Sequence, residues 1–158
     1  MKKLIPEPKH EPRLSTNTPL YKELEVDTLA RTIWGEARGE GTTGMHAVAN
    51  VIMNRLHIST THNGYWWGDN VIQICQKPYQ FSCWNKDDPN RDKVMHVAKE
   101  SDVYFASAMR IAGRAIYTNL MDMTQGADHY HAKNTLPFWA KYEKPVCVIG
   151  NHIFYKLT

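Results

Sequence analysis

Trp34-Gly35-Glu36-Ala37-Arg38-Gly39-Glu40-Gly41 is the stretch on which the reading of this chain turns. Upstream of it, Leu29, Ile33 and Ala37 recur every four residues with Ala30 and Trp34 beside them. That spacing predicts an amphipathic helix, with Asp27 as its N-cap and Gly39 and Gly41 as its stop. Successive helical residues advance by about 100°, so Glu36 falls about 20° from Leu29 and about 60° from Ile33, on the apolar stripe. A carboxyl group is thereby aimed at the core side. Burial beside Trp34 disfavours its ionisation, the condition a general acid needs near neutral pH. The competing reading is a surface glutamate paired with Arg31 or Arg38. Glu40 lies four residues on, near the same face if the helix persists through Gly39, and otherwise is a solvated loop acid.

Outward from this segment, Met45, Val48, Ala49, Ile52 and Leu56 mark a second helix starting at Thr42 or Thr43, antiparallel to the first. Residues 59–89 break into Thr, Asn, Gly, Pro and aromatic residues, a long structured loop with at most short strands or single turns around Val71–Cys75. Residues 91–119 return to helix, with Phe105, Met109, Ala112 and Ile116 on one face; this is expected to be the longest helix, entered through a separate first turn. Residues 127–132 alternate, and Val146–Ile149, Gly150-Asn151 and His152–Lys156 read as a hairpin around a two-residue turn. Residues 1–23 contain Pro6, Pro8, Pro12 and Pro19 and no apolar period, so they are read as an extended arm, with the folded domain at 24–158.

The chain has 158 residues, 42% of them apolar and 22% charged, which suits one globular domain and excludes a collagenous or disordered one. No apolar run approaches the roughly 20 residues of a membrane span, so no stable membrane insertion is expected. A net charge of +3 spread over interleaved acids and bases predicts no large basic field, and no nucleic-acid partner is expected. Leu4-Ile5 is cut off by Pro6, too short for an export signal, so synthesis in the cytoplasm is expected. Cys75, Cys83 and Cys147 do not form a disulfide framework, although a Cys75–Cys83 bridge stays open.

Leu29 to Gly41, followed by Gly44, Ala47-Val48-Ala49 and Val51-Ile52-Met53-Asn54-Arg55, resembles the opening motif of the SleB-type cell-wall hydrolases, the group that includes spore-cortex-lytic enzymes. Gln80-Phe81-Ser82-Cys83-Trp84 is similar to the family's Gln-Phe-Ser block. Gly126-Ala127 with Tyr130-His131 is similar to its Gly-Ala-aromatic strand, and Pro137-Phe138-Trp139 with Gly150 to Tyr155 to its C-terminal end. The resemblance implies cleavage of peptidoglycan glycan strands between N-acetylmuramic acid and N-acetylglucosamine by one glutamate, mapped onto Glu36. That glutamate acts as acid and then base, most simply in a lytic transglycosylase that uses the sugar's own 6-hydroxyl. Glu40, Asp69 and Asp128 keep a hydrolase with a second carboxylate open. A wall-binding module without catalysis is the alternative from another class.

Gln80 and Ser82 offer neutral hydrogen-bonding groups for acetamido and hydroxyl contacts, and Tyr130, like Trp66, Trp67, Trp84, Trp139, Tyr65 and Tyr79, an aromatic face for a sugar ring. Glu40, Gln80, Ser82 and Tyr130 are therefore the expected substrate-binding residues beside catalytic Glu36. His129 and His131 share a strand face and would bind metal only if His152 or Asp128 joined them; no metal and no cofactor are expected. The expected fold is α+β, a lysozyme-like single domain with N-terminal helices, one long central helix and a small C-terminal β-sheet. Without an export signal, a bacteriophage endolysin released to the wall by a holin is the expected setting, acting as a monomer.

Overall fold

The computed structural model describes residues 18–62 and 66–158. Helix α1 runs Pro19–Ala37, and a 3-10 turn at Arg38–Glu40 leads into α2, Gly41–Thr61. Short helices α3 (Val71–Gln76) and α4 (Asn90–His96) flank a 3-10 turn at Ser82–Trp84, and α5 follows at Val103–Tyr117. Strands β1 (His129–Ala132), β2 (Cys147–Ile149) and β3 (His152–Tyr155) form one antiparallel sheet in the order β1-β3-β2. The expected α+β architecture, with helices first and a small C-terminal sheet, is the one observed. No described helix is long and apolar enough to cross a membrane.

The core gathers around α1, whose Leu29, Ala30 and Ile33 are fully buried against Met45, Val48 and Ile52 of α2, Ile74 of α3, and Phe105, Ala108 and Ala112 of α5. A second cluster, Ala47, Val51, Ala127 and Phe154, joins α2 to the sheet. The β2–β3 hairpin turns on Gly150, whose φ of +55° is paid by no side chain; a positive φ at the first turn position and not the second is the type II′ pattern.

Three local expectations are corrected. The first helix begins at Pro19, with Thr18 rather than Asp27 as its cap: Thr18 Oγ1 accepts the N–H of Tyr21 at 3.2 Å. Pro19 sits at the first helical position, where a missing N–H costs nothing, so this proline starts structure instead of breaking it. The rest of the expected arm, residues 1–17, lies outside the described residues. The segment 91–119 has the expected separate entry, but as a helix of its own, α4, and its main helix is not the longest; α2 has 21 residues and α5 has 15. Arg31 explains the break, because its Nη1 donates to the carbonyls of Val94 and Val97 at 2.7 and 3.1 Å and so satisfies the C-terminal end of α4. Asp102 then caps α5, accepting Phe105 N–H at 2.8 Å and Trp34 Nε1–H at 3.1 Å.

Candidate active site

Glu36 leaves the last turn of α1 on the core side, as its position on the apolar stripe predicts. Oε1 accepts the backbone N–H of Cys83 and Oε2 accepts the hydroxyl of Tyr130, both at 3.4 Å. The alternative pairing with arginine does not occur. Arg31 bonds Asp27 and the α4 carbonyls, and Arg38 donates to the carbonyls of Trp34 and Gly35 and to Asn90 Oδ1. Burial raises the Glu36 pKa, and the charge of Asp88 raises it further, against the opposing pull of the Cys83 and Tyr130 hydrogen bonds. The arrangement holds a carboxylic acid in place while keeping it protonated to a higher pH than a solvated glutamate.

Gly35 makes the Cys83 contact achievable. A Cβ at that position would stand 2.8 Å from Val94 Cγ2 and 2.9 Å from Cys83 Cβ, so only glycine lets the Ser82–Trp84 turn lie this close to α1. Trp84 locks the same turn from its other end by donating Nε1–H to Thr32 Oγ1 at 3.0 Å. Tyr130, on β1, is flanked by the rings of His152 at 5.1 Å and Phe154 at 5.7 Å. Burial, then the Glu36 charge, pushes its hydroxyl pKa well up, so Tyr130 keeps its proton and remains a donor.

Of the other expected residues, Ser82 is exposed at the start of the turn, one residue before the N–H that reaches Glu36. Gln80 is linked from beneath, its Oε1 accepting Arg55 Nη1–H at 3.4 Å. Arg55 itself is buried, donates Nε–H to the Asp128 carbonyl at 2.8 Å, and lies over the rings of Trp67 and Phe81. Glu40 is separated from α1 by the helix end and binds the hairpin instead: its Oε2 accepts Asn151 N–H at 3.0 Å. The Glu40 charge also acts on His152, whose pKa burial nevertheless holds below the ordinary value. The five residues are thus not one cluster. Glu36, Tyr130 and the Ser82 turn converge, Gln80 is attached through Arg55, and Glu40 stands at the hairpin end.

The expected second acids are placed otherwise. Asp128 is fully buried and structural: burial alone would raise its pKa, but His129 Nδ1 at 2.8 Å and the N–H groups of Leu157 and Thr158, each at 2.9 Å, outweigh it and lower the value. Asp69 precedes α3 and lines a groove with Lys22, Leu56 and Ile116, a lining that includes no contact of Glu36. Asp88 is the acid whose charge reaches Glu36, and sequence reasoning missed it because Asp87-Asp88-Pro89 has the composition of any loop. His131 Nε2 is taken by the Tyr155 hydroxyl at 2.9 Å, and among the described residues no three His, Cys, Asp or Glu side chains converge as a metal-ligand set. Cys75, Cys83 and Cys147 are free thiols. Trp67 is buried and packs against Trp66 and His129, whereas Tyr79 is 87% exposed; Tyr65 lies outside the described residues.

With this geometry in hand, comparison with known proteins is decisive at the level of family. The sequence profile described as Cell Wall Hydrolase matches residues 39–155, well over half of the chain. The chain belongs to the cell wall hydrolase family. It is 29% identical over 144 residues, 89% of its length, to a spore cortex-lytic enzyme of Halalkalibacterium halodurans, and 28% identical over 149 residues to one of Oceanobacillus iheyensis. It spans 37% and 45% of those two proteins. Its fold superposes with TM-score 0.65 and 25% identity on the catalytic domain of the Bacillus cereus SleB protein, covering 85% of this chain and 91% of that domain. The catalytic domain of the germination-specific lytic transglycosylase SleB from Bacillus anthracis shares the fold with TM-score 0.64 and 22% identity, over 95% of this chain and all of that one.

Proposed function

We propose that this member of the family cleaves peptidoglycan glycan strands between N-acetylmuramic acid and N-acetylglucosamine as a lytic transglycosylase, with Glu36 as its acid and base. The observation that carries the reading is one carboxyl group whose pKa burial raises and whose two oxygens accept Cys83 N–H and Tyr130 O–H. Protonated Glu36 gives its proton to the glycosidic oxygen as the bond from C1 of the muramic residue breaks. The resulting carboxylate then takes the proton of that sugar's 6-hydroxyl, whose oxygen bonds to C1 and closes a 1,6-anhydro ring. Proton and charge balance within the sugar and one side chain, so no second acid is required. Glu40, Gln80, Ser82 and Tyr130 serve binding, with Tyr130 also orienting the acid. The catalytic unit is the domain from the first helix onward.

A second reading has its own observation, the Asp88 charge beside Glu36, which suits a base that activates water in a muramidase-type hydrolase. Mass spectrometry of fragments from purified peptidoglycan separates the two. Anhydromuramic ends are expected, and reducing muramic ends as the main product would transfer the assignment to the hydrolase. A non-catalytic wall binder would release neither.

The biological setting we propose is phage-induced lysis, with the protein acting on the wall as a monomeric endolysin once a holin has opened the membrane. Expressed alone in a bacterium with a susceptible wall, it is expected to leave culture density unchanged until chloroform or a co-expressed holin is added. Spontaneous lysis would overturn that placement and leave the chemistry standing.

A further inference from the structure

The Ser82–Trp84 turn has a second face. Its Cys83 N–H holds Glu36, and the next residue, Trp84, forms one wall of a cleft of about 480 Å³. Tyr79 forms another wall, Gln76 and Asn85 supply amides, and Lys77 and Lys86 supply positive charge. Neither lysine forms an ion pair among the described residues, and Lys77 Nζ lies 5.8 Å from the Trp66 ring centre.

The cleft is built at a conformational cost. Gln80 N–H bonds the Lys77 carbonyl at 3.1 Å, Pro78 is second in the turn, and Tyr79 is third with φ +64°. This is the type II pattern, whose third position favours glycine or asparagine. A tyrosine is instead held in the left-handed region with 87% of its surface exposed, so it contributes little to packing. Strained backbone that presents an exposed aromatic side chain beside a functional group is a mark of a binding surface. The rest of the segment is fixed by successive turn bonds, Trp84 N–H to Phe81 at 3.2 Å, Asn85 N–H to Ser82 at 2.9 Å and Asp88 N–H to Asn85 at 3.0 Å.

We propose that this cleft binds the peptide stem carried by the muramic acid residue at the cleavage site, an inference that rests on the function proposed above. The stem leaves the lactyl group of the same sugar whose C1–O bond faces Glu36, so it must run over a surface next to the acid. The cleft and the acid share the Ser82–Trp84 turn: Trp84, in the cleft lining, follows the residue whose N–H reaches Glu36, although no residue that contacts Glu36 lines the cleft itself. Its chemistry is complementary to a peptide with free carboxylates: two cations for the carboxylates, two side-chain amides for peptide groups, and two aromatic walls for the chain. Asp87, also in the lining, faces the amine of a stem that contains a diamino acid. A strand stripped of its stems offers only the lactyl carboxylate of each muramic residue, with no peptide groups for the amides and no chain for the aromatic walls. The domain is therefore specific for muramic acid that retains its stem.

The test uses soluble glycan strands with stems and the same strands after an amidase has removed them, and compares kcat/KM on each. The wild-type protein is expected to prefer stem-bearing strands by about tenfold, the effect of two partly exposed charge contacts plus apolar cover, and to lose part of that preference in high salt. Lys77→Ala combined with Lys86→Ala should bring the ratio close to one. Tyr79→Gly removes an aromatic wall while giving the turn the residue it favours, so the ratio should fall without any drop in the thermal midpoint. Equal kcat/KM on both substrates with the wild-type protein, or a preference kept by the double lysine variant, would overturn the inference. Equal, efficient cleavage would leave Glu36 chemistry intact; cleavage of neither substrate would remove the proposed function itself.

Discussion

Gly35→Ala and Gly113→Ala make the same chemical change in two helices and should have opposite effects. In a helix interior, alanine in place of glycine gains about 0.5–1 kcal/mol from backbone entropy. A Cβ at Gly113 meets nothing within 4 Å, so Gly113→Ala should show that gain in full, a rise in Tm of about 1–4 °C for a domain of this size. At Gly35 the new methyl group would lie 2.8 Å from Val94 Cγ2, 2.9 Å from Cys83 Cβ and 3.0 Å from Cys83 Sγ. Ordinary contact begins at 3.4 Å, so α4 or the Ser82–Trp84 turn must retreat by several tenths of an ångström. Overpacking of this kind costs about 1–3 kcal/mol. The propensity gain is common to both variants and cancels, leaving Gly35→Ala less stable than Gly113→Ala by about 1–3 kcal/mol. Urea unfolding of the two proteins measures that difference directly. Glycan cleavage should fall as well, because the Cys83 N–H contact to Glu36 is already 3.4 Å and does not survive the displacement. Equal stabilisation by both substitutions would refute the claim that close approach at Gly35 builds the site.

Ionisation gives further tests. Glu36 has a folded pKa above its ordinary 4.5, so from that pH upward the native state holds more protons than the unfolded one and stability falls until the folded pKa is passed. Glu36→Gln should thus match the wild-type protein in stability near pH 4 and exceed it increasingly toward neutrality, by about 1.4 kcal/mol for each unit of the shift; a gap independent of pH in melting curves would contradict this. Asp128 has the opposite sign: its pKa lies below 3.8, so its contribution is present above that value and lost as pH falls through the folded pKa. Asp128→Asn should cost about 1–3 kcal/mol at pH 7 by weakening the hold on Leu157 and Thr158, with the difference shrinking near pH 2. EDTA should leave cleavage unchanged, and loss of activity restored by zinc would reopen a role for His129 and His131.

The helices and the hairpin were legible because their signals are local, a spacing of three and four residues on α1, α2 and α5 and the Gly150-Asn151 turn between alternating strands. What failed depended on distant partners or on one residue with two meanings. Nothing within residues 91–119 reveals that Arg31 terminates α4, and Pro19 reads equally as a breaker or as a first helical residue. At the site, the burial of Glu36 followed from its place on the apolar stripe. Its partners did not, since Cys83 and Tyr130 lie 47 and 94 residues further along the chain. Gly35 did carry a signal, an isolated glycine inside a helical pattern, which points to close approach by a neighbour. Glu40 was displaced from the acid because the helical count ends at Ala37 and the 3-10 turn redirects the chain toward Asn151.

The central claim is that one carboxyl group, Glu36, performs both proton transfers. It is tested most directly by digesting purified peptidoglycan with the wild-type protein and with Glu36→Gln and following the release of muramic ends. The amide keeps the shape, its one oxygen can still accept Cys83 N–H and its NH2 can donate to the Tyr130 hydroxyl oxygen, but it can neither give up nor recover the catalytic proton. The expected result is a fall in rate of several orders of magnitude, with an unchanged circular dichroism spectrum. Release of ends at a rate close to that of the wild-type protein would show that the acid lies elsewhere.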